Sequence, residues 1–247
     1  MKPFPHEPDE AALTVRLAED RQKVESLPGD APGRKAAYYD EASRLAFGLA
    51  GLTYALEHPL AEIKSYAVFA TRYANQAVSC DELLDPVTFQ RYLSLAVWTY
   101  DTNLRYRLAD FTRDRFTNPA LTFDEVYYRS AEAMAELARK RPQMAVEAAE
   151  SGSKRITRGL VSTPVVNRIA PLLRVAECMG RGDLAGLRGA VSERSTQFLR
   201  AASVEASRND PESLIDVVGL ALVRIAAVDY GLSVEPKSLF LPVTGLV

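Results

Sequence analysis

The chain has 247 residues, a formal net charge of -2 and 47% hydrophobic residues. This length suits one large domain or two small ones and can bury a core without disulfides or metals. The small net charge gives no general attraction to nucleic acid or to an anionic membrane. We therefore expect a globular protein that has neither of these as a partner.

The two cysteines, Cys80 and Cys178, lie far apart and fit neither a disulfide framework nor a zinc-binding motif. Each lies in an apolar, helix-like context, which is typical of a buried free thiol. The first ten residues lack the apolar core of a signal peptide, and no apolar run is long enough to span a membrane. We expect a cytoplasmic protein in a reducing compartment.

In the first half of the chain, apolar residues recur every three or four positions, which predicts helices. The predicted helices cover residues 10–27, 34–57, 59–79, 86–100 and 104–114. Residues 1–8 are proline-rich and are expected to be loose. Gly48 and Gly51 lie inside the second predicted helix, where they would let another helix approach closely.

The second half of the chain continues the helical pattern. Its predicted helices cover residues 122–140, 142–150, 163–179, 184–207 and 210–230. Thr122 and Glu125 have the spacing of a capping box at the start of the first of these. The last helix is apolar nearly all round, which predicts a central position in the core, and Gly231 follows it as a left-handed cap.

Prolines support the same division into helices, and no segment alternates apolar and polar residues as a strand does. Five prolines stand where a new helix would begin: Pro59, Pro86, Pro142, Pro164 and Pro211. The sequence predicts an all-α protein with a single domain over 1–247 and an extended tail, 232–247, packed on the core. The domain would be a helical bundle or a stacked array of antiparallel helix pairs, repeat-like towards the carboxyl terminus.

The sequence shows no catalytic motif and no metal-binding motif. His6 lies in the proline-rich amino terminus, and His58 precedes a proline at a helix junction, which favours a structural role. Metal-binding spacings such as His-Glu-x-x-His do not occur. We expect no catalytic residues, no metal and no cofactor.

Tyrosine and arginine side chains offer the clearest candidates for binding a protein partner, because exposed Tyr and Arg are typical interface anchors. A basic and aromatic segment covers 105–115, and tyrosine pairs occur at 38–39 and 127–128. Neighbours on a helix point in different directions, so one member of each pair can face outward. The candidates are Arg105, Tyr106, Arg107, Tyr39, Tyr128 and Arg129. The alternative is ordinary amphipathic packing with solvated charges.

Two stretches carry a resemblance to a known family. Residues 221–235, ALVRIAAVDYGLSVE, are followed by the segment SLFLP at 238–242. This ending resembles that of immunity protein family forty-nine, in which an alanine-rich helix leads to a turn, a Val-Glu segment and an aromatic-Leu-Pro ending. Phe240 stands at the aromatic position. The segment FQRYLSLAVW at 89–98 also looks like the central helix of that family.

The resemblance implies an all-helical bacterial protein of a polymorphic-toxin system that binds and neutralises a cognate toxin. The partner would be that toxin, and the protein would act as a monomer or a homodimer. A helical-repeat scaffold or regulator that binds another protein or peptide is the first alternative. A small-molecule binder or enzyme with a site between helices is the second, and an apolar groove with converging Asp, Arg and Tyr side chains would favour it.

Overall fold

The computed structural model describes residues 9–27, 34–80, 82–111, 113–116, 123–204 and 210–234. These ranges contain ten α-helices and no strand, which confirms the predicted all-α class. The contacts between Cα atoms divide the chain into two compact units. The single domain over 1–247 stays a prediction, and residues 1–8 and 235–247 lie outside the described ranges.

The first unit takes its described residues from 9–82 and 199–216. It contains α1 (Glu10–Ser26), α2 (Ala36–Ala55) and α3 (Leu60–Ser79). A short connection joins α2 to α3, and the two helices pack side by side as an antiparallel pair. One core cluster of this unit contains Leu13, Leu17, Leu49, Leu52, Ala55 and Leu214.

A short 3₁₀ turn, Pro211–Ser213, packs against α2 at two glycines. A Cβ atom at Gly51 would lie 2.3 Å from the Pro211 carbonyl oxygen, and one at Gly48 would lie 3.1 Å from the Pro211 Cβ. Only glycine fits at 51, because the opposing atom belongs to the backbone. The close approach predicted at these glycines is present, although the approaching element is a turn and not a helix.

The second unit takes its described residues from 83–198 and 217–234. Its helices are α4 (Pro86–Thr99), α5 (Thr102–Ala109), α6 (Glu125–Ala138), α7 (Pro142–Thr157), α8 (Thr163–Arg181) and α10 (Val217–Tyr230). A further helix, α9 (Leu184–Ala202), lies in this unit up to residue 198. The pairs α6–α7 and α7–α8 pack side by side after short connections, which confirms the prediction of packed helix pairs.

The helix α10 lies in the core of the second unit, as predicted. It packs against α4, α6 and α8, and Leu222 and Ile225 are buried whereas Val218 is half-buried. Gly231 has a φ of 65°, the left-handed conformation expected of a cap, and the Leu232 amide donates to the Ala226 carbonyl at 2.8 Å. The start of this helix was predicted wrongly, because residues 211–213 form the 3₁₀ turn and α10 begins only at Val217.

Three other helix boundaries differ from the predictions. The helix α7 continues to Thr157 through the expected break at 151–153, where a Cβ at Gly152 would lie 2.8 Å from the Leu173 side chain. The helix α5 ends at Ala109, and a 3₁₀ turn follows at Arg113–Phe116. The helix α9 ends at Ala202, five residues earlier than expected.

The start of α6 shows which side chain caps a helix. Asp124 is the N-cap residue, and its carboxylate accepts a hydrogen bond from the Val126 amide at 3.0 Å. The predicted cap, Thr122, lies outside the described residues. Asp124 also accepts a hydrogen bond from Arg155 Nε on α7 at 2.8 Å, which ties the start of α6 to the neighbouring helix.

Candidate partner-binding surface

Three of the six candidate residues lie on α5, a short helix of the second unit. Asp101 caps this helix, since its carboxylate accepts from the Leu104 amide at 2.9 Å. Tyr106 is 68% exposed, whereas Arg107 is half-buried and has partners within the protein. Tyr106 is therefore the member of this group with the most surface to offer a partner.

Arg105 is held by the protein's own backbone and side chains. Its guanidinium forms an ion pair with Asp229 of α10 and donates to the Ala138 carbonyl of α6 at 3.2 Å. Only 19% of the Arg105 side chain and 4% of the Asp229 side chain are exposed. Lys140 Nζ approaches the other carboxylate oxygen of Asp229 at 3.3 Å. The structure thus gives Arg105 a role in joining three helices, which its place in a basic segment did not indicate.

In each tyrosine pair one side chain is buried and the other is half-buried. Tyr39 and Tyr128 are the buried ones, at 7% and 8% exposure, and Tyr38 and Tyr127 are half-buried. Tyr39 also belongs to the first unit, whereas the other candidates belong to the second. Burial leaves Tyr39 and Tyr128 little area for contact with a partner.

Arg129 lies between two carboxylates on its own helix. Its Nη1 donates to Glu132 at 2.9 Å, and its Nε lies 3.1 Å from Glu125 in an ion pair without hydrogen-bond geometry. About a third of its side chain is exposed. These surface pairs are typical of a solvated helix face and compete with any external carboxylate for this guanidinium.

One buried arginine of this unit is not among the predicted candidates. Arg224 of α10 is 9% exposed, donates from Nη1 to the Trp98 carbonyl at 3.1 Å and places its Cζ 3.2 Å from the centre of the Tyr100 ring. Its Nη2 is buried without a hydrogen-bond partner. Burial lowers the pKa of Arg224 to about 10.

Tyr100 lies at the carboxyl end of α4 with a φ of 59°, a left-handed conformation that is rare for a bulky side chain. Such strain costs about 1–3 kcal/mol and tends to occur at functional sites. The turn holds the ring over the Arg224 guanidinium while leaving the residue 61% exposed. An exposed aromatic ring over a buried cation has the composition of an interface anchor.

A small cavity of about 50 Å³ adjoins these two residues. Asp101, Thr102, Arg105 and Val228 are also among its lining residues, and Val228 is 66% exposed. Tyr106 lies one turn after Thr102, on the same face of α5. We call the exposed residues Tyr100, Tyr106 and Val228, together with the underlying Arg224, the Tyr100 surface.

The first unit has a larger groove between α1 and α3, with a volume of about 420 Å³. Arg21, Glu62 and Tyr66 meet there, but their polar atoms bond to one another. Arg21 Nε donates to the Tyr66 hydroxyl at 2.8 Å, and Arg21 Nη2 donates to Glu62 at 2.5 Å. The other oxygen of Glu62 lies 2.9 Å from His58 Nδ1, which gives His58 the junction role predicted for it. This network ties α1 to the start of α3.

No group of three or more His, Cys, Asp or Glu side chains gathers as metal ligands would in the ranges given above. None of the helices in the same ranges has the length and apolar character required to cross a membrane.

Comparison with protein families matches residues 41–244, most of the chain, to the family described as Immunity protein 49. The chain belongs to this family. The match confirms the resemblance seen at 221–242 and extends it over both units. Comparison with curated proteins and with solved structures gives no significant match. Membership in the Immunity protein 49 family therefore rests on the sequence pattern.

Proposed function

We propose that this protein is a bacterial immunity protein that binds a cognate toxin and neutralises it by covering the surface through which the toxin acts. The observation that carries the proposal is membership in the Immunity protein 49 family over residues 41–244. An all-helical chain of this length can offer one face of the size that specific complexes need, about 800 Å² on each partner.

The proposal makes the protein a binding partner and not an enzyme, with no cofactor. It acts as a monomer or a homodimer in the cytoplasm, without nucleic acid or membrane as a partner. A formal net charge of -2 supports this choice, because it gives no general attraction to phosphate groups. The toxin would be met in the cell that makes it, before it can reach its own target.

The second unit contains the surface that best suits toxin binding. Tyr106 and Arg107 remain candidates from the α5 segment, and they are joined by Tyr100 and Val228, two exposed residues that line the small cavity. Hot spots of protein interfaces are enriched in Tyr and Arg and are surrounded by contacts that exclude water. We place the centre of the contact at the Tyr100 surface.

The test is co-expression with the toxin encoded beside this gene. We expect cells that carry both proteins to survive induction of the toxin, and the two proteins to elute together on gel filtration. A matched control carries the same toxin with an immunity protein of an unrelated family. Toxicity that this protein leaves unchanged, together with separate elution of the purified proteins, would refute the proposal.

A further inference from the structure

The strongest unexplained feature of the molecule is the buried guanidinium of Arg224. A charged group taken out of water is normally paired with an opposite charge or fully hydrogen-bonded. Among the described residues no carboxylate pairs with Arg224, whose contacts are the Trp98 carbonyl and the Tyr100 ring. One nitrogen, Nη2, is buried without a hydrogen-bond partner.

Two acidic residues near this site are engaged elsewhere. Asp229, five residues after Arg224 on α10, is paired with Arg105 and Lys140. Asp101, which lines the same cavity, accepts the Leu104 amide as the cap of α5. Neither carboxylate forms an ion pair with Arg224, so the charge that complements this guanidinium has to come from outside the described part of the fold.

A negatively charged group from outside the chain could enter the cavity beside Arg224. The cavity volume of about 50 Å³ exceeds the roughly 10–15 Å³ that a single water needs, so a three-atom carboxylate group fits. Two of its lining residues, Tyr100 and Val228, are more than half exposed, which opens the cavity to the surface. The space therefore suits the end of one side chain.

We propose that the cavity between Tyr100, Val228 and Arg224 receives the carboxylate of an aspartate or glutamate side chain from the protein partner. The carboxylate pairs with the charge of the Arg224 guanidinium from the cavity side, and the Tyr100 ring lies over the same guanidinium. This inference rests on the proposed function only for the identity of the partner, since the complementarity itself is a property of this chain. A toxin whose working surface is acidic around its target-binding site would fit it.

A first experiment needs no partner. Val228 lies four residues after Arg224 on α10, so the substitution Val228→Glu offers a carboxylate to the guanidinium from within the chain. We expect Val228→Glu to have a higher melting temperature than Val228→Gln, and this difference to vanish when Arg224→Met is present in both chains. Equal melting temperatures for the two single variants, or a difference that survives Arg224→Met, would overturn the inference.

A second experiment measures binding of the purified toxin by titration calorimetry. Removing one member of a buried charged pair in an interface should weaken binding by about 30-fold or more, and we expect this for Arg224→Met. Val228→Glu should also weaken binding, because its carboxylate competes for the same guanidinium, whereas Val228→Gln should do so much less. Tyr100→Asn, which tolerates the left-handed turn, tests the covering ring without changing a buried group.

The outcomes separate this inference from the proposed function. If the unaltered chain binds the toxin and Arg224→Met binds equally well, the inference is wrong and the proposed function stands. If the unaltered chain does not bind the toxin, the proposed function fails, and the melting temperatures of the Val228 variants still decide whether Arg224 takes a carboxylate. If sodium acetate binds tightly to the unaltered chain but not to Arg224→Met, the site serves a free carboxylate and the assignment to a protein side chain is overturned.

Discussion

Arg105 on α5 and Asp229 on α10 form an ion pair between residues 124 positions apart in the chain. Asp229 is almost fully buried and also meets Lys140, which follows α6. The same guanidinium donates to the Ala138 carbonyl at the end of α6. This arrangement makes Arg105 the point at which α5, α6 and α10 are held together.

The first prediction concerns this pair. Arg105→Glu should lower the free energy of unfolding by about 2 kcal/mol or more, because it sets two carboxylates against each other in a poorly solvated place. Urea denaturation followed by circular dichroism measures the change. The matched control is Arg188→Glu at an exposed position on α9, which should shift stability by no more than about 0.5 kcal/mol. Equal effects of the two substitutions would contradict this role for Arg105.

The second prediction concerns the apolar helix α10. Leu222 is 1% exposed, so Leu222→Ala should remove about 2–5 kcal/mol from the free energy of unfolding through lost burial and a residual cavity. Val228→Ala on the exposed face of the same helix is the control and should change stability little. Thermal unfolding of wild type, Leu222→Ala and Val228→Ala measures these changes in stability. A small effect at Leu222 would mean that α10 is not a core element.

Local sequence patterns predicted the helices well, because apolar spacing and helix-starting prolines depend only on residues close together in the chain. Apolar spacing and prolines located the ten α-helices of the described residues, and Gly231 marked the end of α10. The same local evidence failed where a distant group decides the outcome. Residues 151–153 look like a break, but Gly152 continues α7 and receives the Leu173 side chain of α8. The approach of Pro211 to Gly51 is also decided by a segment far along the chain.

The candidate site was harder to predict than the fold. A basic segment identifies arginines but not which of them have carboxylate partners, so Arg105 and Arg129 were chosen although both are paired within the protein. A tyrosine pair shows that one ring turns inward but not which one. Arg224 gave one usable signal, a lone cation in an apolar helix, and its significance depends on Tyr100, whose left-handed turn no short pattern indicates.

The third prediction concerns acid stability. Arg155, which donates to Asp124, holds the pKa of that carboxyl below its ordinary value. Because the folded-state pKa is lowered, the stabilising contribution is present above the unfolded value of about 3.9 and is lost as the pH falls through the lowered value. Asp124→Asn keeps a capping side chain but removes the charge. The stability difference between wild type and this variant should therefore be constant near neutral pH and shrink below about pH 4.

Denaturation in urea at a series of pH values measures this difference. Asp85→Asn is the matched control, because Asp85 caps α4 through the amides of Val87 and Thr88 without an arginine partner in the described ranges. The stability difference between wild type and Asp85→Asn should therefore lack the pH-dependent contribution that the Arg155 hydrogen bond gives to Asp124. The explanation fails if the Asp124→Asn difference keeps its neutral value down to pH 2.

The last prediction tests the Tyr100 surface without touching Arg224. Tyr106→Ala removes the exposed tyrosine ring of α5, so stability should change by less than about 0.5 kcal/mol while toxin affinity falls by about tenfold to 30-fold, as for an interface anchor. Met144→Ala on α7 removes a similarly exposed apolar side chain and should leave affinity unchanged. Titration calorimetry with the purified toxin measures both. A wild-type affinity for Tyr106→Ala would move the contact away from α5, whereas a loss in both variants would indicate a contact that extends to α7.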